Sequence, residues 1–305
     1  MISSTYPTWI RNTTVAAISA IVLSGCLSEE SDEKSFNGDG GTGTTDVRLR
    51  GSVGDGPVVN ADIRVYDASG VLMAELQSDA NASYNITIST VSSDFPLSLD
   101  AQNGTDLVTN LAPDFALQGA ALSSGGESIA NLSPFSTIAV ALANKMSGCA
   151  TTNNLRSAEN TVATFLNSGL DSLMASGPSA TPSGANNVTE MVKASETLSE
   201  LVRRSRDLLT AAGFSSSGDA VIDRLGADLT DGKIDGLGAS GTNSRTAAVS
   251  TIVNAQVLLE SMANELHVNG SNATAAMWSA IEQVSPSSPT ANLDQMTVTA
   301  EMITR

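Results

Sequence analysis

Aromatic residues make up only 4% of this chain, and its 305 residues include one histidine and two cysteines. Each scarcity closes off a class of chemistry. The single histidine, His267, cannot build a multi-histidine zinc centre. Two cysteines, Cys26 and Cys149, give no disulfide framework of the kind that staples small secreted domains. Sugar-processing sites lean on aromatic platforms, and Trp9 and Trp278 are the only tryptophans. Basic residues are also few: 15 Lys and Arg against 32 Asp and Glu leave a formal charge of −17. Such a chain is repelled by nucleic acid and by anionic lipid headgroups. The sequence contains no Walker-type phosphate loop and no Gly-x-Ser-x-Gly elbow; Gly213-Phe-Ser-Ser-Ser-Gly218 misses that last spacing by one residue. No apolar run reaches the roughly 20 residues that cross a bilayer.

What is present near the start is a short leader. One cation, Arg11, precedes an apolar stretch from Val15 to Leu23 broken only by Ser19, and no acid occurs before Cys26. These are the parts of an export signal, not of a membrane helix. Leu23-Ser24-Gly25-Cys26 resembles the bacterial lipoprotein cleavage box. The resemblance implies cleavage before Cys26 and acylation of its sulfur, so that the bilayer is a partner through Cys26; an ordinary secretory signal with a chance cysteine is the alternative. Several acyl chains hold a protein firmly where one holds it only marginally. Leu27, where an aspartate would resemble the inner-membrane retention signal, points to the outer membrane, facing the periplasm or the cell surface. With Cys26 acylated, Cys149 is expected to be an inert, partly buried thiol.

The remaining chain divides by pattern. Residues 1–25 form the leader, and residues 26–45 an acidic then Gly/Thr-rich tether with no apolar periodicity. Residues 46–128 show the period of two expected of half-buried strands. Val47, Leu49, Gly51 and Val53 alternate, followed by a turn at Gly54-Asp55-Gly56-Pro57, then Ala61, Ile63 and Val65, then a turn at Asp67–Gly70. Tyr84, Ile86 and Ile88 alternate next, then Leu97 and Leu99, with Asn103-Gly104 turning into Leu107–Leu111. The run Gly51–Gly70 followed by Ser78–Tyr84 resembles the carboxypeptidase-regulatory-like, transthyretin-like group of β-sandwich modules. Those modules usually carry glycine where Ala82 stands. The resemblance implies a non-catalytic accessory or binding module and names no ligand.

Residues 129–305 read as helical. Ser133-Pro134 is an N-cap followed by proline at the first helical position, opening a helix towards Gly148. Further helices are predicted over 155–174, 189–212, 243–266 and 272–284. In the 189–212 helix, Met191, Val192, Ser195, Leu198, Leu201, Val202, Leu208 and Leu209 make one stripe, while Glu190, Lys193, Glu196, Glu200, Arg203, Arg204 and Asp207 lie mostly off it.

One acidic cluster stands out: Asp228, Asp231 and Asp235 around Gly232 and Gly236. Oxygen ligands at short spacing around glycine are what calcium needs, although the EF-hand register fails; tight turns at Asp231-Gly232 and Asp235-Gly236 explain the same residues. No other cofactor is implied. His267, at an expected helix end, suits a cation near the helix dipole. The expected fold is therefore α+β: an N-terminal antiparallel β-sandwich of immunoglobulin or transthyretin type followed by an all-α helical domain. The expected role is that of a membrane-anchored cell-envelope lipoprotein that binds an envelope protein or a surface, in adhesion for example, without catalysis. Carriage of an apolar, lipid-like ligand between the helices is the alternative, and a hydrolase comes third.

Overall fold

Alternation in the first half of the chain becomes strands, and helical periodicity in the second half becomes helices. The computed structural model describes residues 43–166 and 170–285. The leader, Cys26 and all but the end of the tether lie outside the described residues.

The strands are β1 (Thr45–Ser52), β2 (Val58–Val59), β3 (Asp62–Tyr66), β4 (Leu72–Gln77), β5 (Ser83–Thr90), β6 (Leu97–Gln102), β7 (Thr105–Asp106), β8 (Leu117–Ala121) and β9 (Glu127–Ile129). They form a four-stranded antiparallel sheet in the order β4-β3-β6-β8, a three-stranded sheet β5-β1-β9, and a two-residue pair β2-β7. Ile63 faces Leu76 on one side and Ala101 on the other; Leu49 faces Ile86. The second sheet is mixed, because β9 runs parallel to β1 with Leu49 opposite Ser128. The sequence predicted antiparallel pairing throughout. A parallel partner must arrive by a long connection, and β9 comes from the far end of this half.

The sequence pattern does not announce every strand, β4, β8 and β9 among them. β4 is largely exposed and carries no clean alternation, while β8 is rich in glycine and alanine and β9 is only three residues long. Leu107–Leu111, expected to be a strand, is a turn: Asp106 accepts from the backbone N–H of Val108 (2.9 Å) and Thr109 (3.1 Å). Ala82 takes the left-handed conformation at φ 54°, a backbone that glycine adopts at less cost.

The helices are α1 (Pro134–Lys145), α2 (Thr152–Phe165), α3 (Asp171–Ser176), α4 (Val188–Ala211), α5 (Gly218–Asp228), α6 (Ser244–Met262) and α7 (Thr274–Val284); a hairpin of β10 (His267–Val268) and β11 (Ser271–Asn272) separates the last two. Ser133 caps α1 as its sequence suggests, with its Oγ accepting from the Ser136 N–H at 3.2 Å. The predicted 155–174 helix is two pieces. α5 is an additional helix whose short apolar stripe, Val221, Ile222 and Leu225, is interrupted by Asp219 and Asp223. Among the described residues no helix is long and apolar enough to cross a membrane.

The change of element type near residue 129 is not a gap between cores. Leu49, Ile63, Leu97 and Leu117 from the sheets and Ile138, Leu142, Leu201 and Val221 from the helices belong to one buried cluster. α1 is the shared element: every residue from Pro134 to Ala143 is buried, as expected of a helix apolar on all faces. Ser136 Oγ donates to the Gln118 carbonyl (2.5 Å), and the Gln118 N–H donates to Thr137 Oγ1 (2.8 Å), tying α1 to β8.

Candidate functional site

The largest departure from the sequence reading lies on α4. Lys193, Glu196, Glu200 and Arg203, assigned to a solvated face, are all buried. Lys193 Nζ donates to Asn264 Oδ1 at 2.6 Å; for Glu196, Glu200 and Arg203 the reason is mutual neutralisation, with Asp55 joining from the sheet half. Arg203 Nη1 lies 3.2 Å from Asp55 Oδ2, its Nη2 2.9 Å from Glu196 Oε2, and its Nε 2.8 Å from Glu200 Oε2. Asp114 stands 3.9 Å away and is held by Arg206 at 2.6 Å. Arg204 extends the network to Glu200 (2.8 Å) and to Glu260 on α6 (2.6 Å). Guanidinium suits this use, because its fixed fork of donors serves several carboxylates at once.

Acids outnumber cations around Arg203. Asp106, also buried, faces the same cluster, and Glu196 Oε1 finds no hydrogen-bond partner among the described residues. Gly56 makes the crowding possible: a Cβ there would lie 2.5 Å from Asp106 Oδ1 and 2.6 Å from Glu196 Oε1. Burial pushes the Asp55 carboxyl up to about 6, with Arg203 opposing the rise. Burial first, and the Asp106 charge second, raise Glu196 well above the usual carboxylate range. Asp106 is raised too, chiefly by burial. Desolvation disfavours the charged form, so this cluster holds protons that exposed acids would have released.

In front of Gly56 a cleft of about 150 Å³ opens between the β1–β2 turn, the β4–β5 turn and the start of α4. Val53, Pro57, Val188 and Val192 give it apolar walls, and serine and asparagine side chains, Ser133 and Asn81 among them, supply polar groups. Asn131 braces the wall. Its Oδ1 accepts from the Ser52 N–H (3.1 Å), and its Nδ2 donates to the Thr181 carbonyl. The cleft is smaller than the roughly 300–1,000 Å³ of drug-sized pockets and lies where sheets meet helices, not between helices.

The three aspartates weighed for calcium each bond to backbone N–H groups. Asp228 is buried and accepts from Gly236 at 2.8 and 3.1 Å; Asp231 accepts from Lys233 and Asp235 from Leu237, each at 3.0 Å. These are the bonds of the turn alternative. Among the described residues no three His, Cys, Asp or Glu side chains converge as metal ligands. His267 sits in β10 and not at a helix end; its side chain is half exposed, with Nδ1 3.9 Å from Glu260 Oε2. Cys149, expected as an inert thiol, is not free.

The spacing of Glu196, Glu200, Arg203 and Arg204 at three, four and seven residues was a visible sign of an ion network on one helix face. Nothing local announced Asp55 or Asp106 as its partners. No family model, curated protein or solved structure matches the chain in comparisons with known proteins.

Proposed function

We propose that the chain is a cell-envelope lipoprotein, acylated at Cys26, whose folded body is a binding module without a catalytic role. The sequence Leu23-Ser24-Gly25-Cys26 directly after an apolar leader carries this reading. A compatible feature is that β1 begins at Thr45, where the Gly/Thr-rich tether ends. The two sheets packed on one core support the transthyretin-like sandwich reading of residues 46–128, with β9 as a parallel addition. The outer membrane is the proposed location, with the acidic body held off the headgroups by the tether.

Intact mass of the membrane-extracted protein tests the anchor. The expected product begins at Cys26 and carries several acyl chains, and Cys26→Ser releases the body from the membrane fraction. Because the chain has two cysteines, a reduction-sensitive bond between Cys26 and Cys149 would leave no sulfur for the lipid and would overturn the proposal.

The cleft favours a second reading, carriage of a small apolar group. Its walls suit a short chain or ring and its volume excludes a whole lipid. Mass spectrometry of a solvent extract of the purified protein tests this; an empty extract, and Val192→Trp leaving ligand binding unchanged, would count against it.

A further inference from the structure

α6 is apolar on two faces, and among the described residues only one is covered. Val253, Val257 and Leu258 point into the core, while Ile252, Leu259 and Met262 stand 69%, 67% and 48% exposed. A soluble helix ordinarily turns polar residues outward, and one that is apolar all round is covered all round. With exposed Ala248 and half-buried Ala255, the outer residues fall at 248, 252, 255, 259 and 262. These are alternating steps of four and three, the spacing of a coiled-coil seam.

We infer that this face of α6 pairs with the same face of a second copy of the chain. Charge selects that occupant. Two chains of formal charge −17 repel wherever carboxylates meet, yet from Ser244 to Leu259 the helix carries no acid. Its one cation, Arg245, is folded over the Phe214 ring at 4.2 Å, and Glu260 beyond it is neutralised by Arg204 at 2.6 Å. The seam is therefore a place where two copies can touch without opposing charge. A single patch that meets itself gives a closed two-fold dimer rather than a chain of subunits. The helix has 19 residues, about 28 Å of length, enough for a pair to reach the low end of specific interfaces, about 1,000 Å².

Sedimentation equilibrium of the full chain in density-matched detergent tests the pairing. The expected mass is that of two copies. Ile252→Glu with Leu259→Glu should weaken self-association by about 100-fold or more, with the thermal midpoint of the single copy unchanged because both side chains are exposed. Mixing that variant with Ile252→Lys/Leu259→Lys should restore a mixed dimer, which a merely unfolded variant cannot do. A single-copy mass at about 100 μM would overturn the inference, being weaker than a specific dimer's micromolar range. So would a dimer indifferent to both double variants. If a monomeric chain becomes dimeric only on deletion of residues 286–305, that segment is the occupant and the second copy is not.

Discussion

Arg203 and Asp55, 148 positions apart in the sequence, meet with Nη1 3.2 Å from Oδ2 at the place where the strand half joins α4. Removing the guanidinium leaves Asp55, Glu196 and Glu200 buried without their shared cation. Arg203→Met is expected to cost about 3–5 kcal/mol of stability, read as a fall in the urea midpoint. Arg203→Lys should recover part of it, since an ammonium serves fewer of the carboxylates.

The same cluster reverses the usual dependence of stability on pH. Asp55 holds its proton up to about 6 when folded, against 3.8 as its ordinary value, and Glu196 and Asp106 shift in the same direction. Where the folded state binds more protons than the unfolded one, stability falls as pH rises. The Asp55 contribution is complete below the ordinary carboxylate range and is lost as pH climbs through about 6; those of Glu196 and Asp106 fall in the same direction. Glu260 acts oppositely: hydrogen bonds from Arg204 hold it down to about 2 from 4.5, so its contribution is lost as pH falls below 4.5. Thermal midpoints should therefore peak near pH 4–5 and decline towards pH 7, and Glu196→Gln should flatten the decline. A midpoint rising steadily from pH 4 to 7 would contradict the assignment.

Gly226 on α5 touches α1 so closely that a Cβ would stand 2.7 Å from Ala141 Cβ and 2.8 Å from Ala141 C. Glycine to alanine inside a helix normally gains up to about 1 kcal/mol. Here the sign should invert, because backbone cannot yield as a flexible side chain can. Gly226→Ala is expected to destabilise by about 1–3 kcal/mol, measured by chemical denaturation.

Calcium should leave the thermal midpoint where it is. Asp228, Asp231 and Asp235 already accept backbone N–H groups, and a cation would have to displace those bonds. A midpoint that rises with calcium and falls again with chelator would reinstate the cation reading.

How much of this was legible depended on whether the signal was local. The Ser133-Pro134 start of α1, the alternation at Val47 and Leu49, and the end of the helix predicted over 189–212, just before Gly213 at φ +85°, are short-range devices and fell where the sequence placed them. β8 went unseen because its glycine and alanines pack against α1 by fitting closely and not by carrying a large apolar pattern, and β9 because three residues are too few to show a period. The ion network was half visible. Glu196, Glu200 and Arg203 share a face by spacing alone, but whether that face meets water or another part of the chain is decided by Asp55 and Asp106, whose roles exist only after folding.

The complete burial of α1 bears on how this architecture can be inherited. A gene fragment ending near residue 128 would expose β8 and strip the sheets of their cover, and one starting there would leave Phe135, Ile138 and Leu142 facing solvent. Recombination between lineages must therefore carry strands and helices across together, and neither half can travel as a cassette.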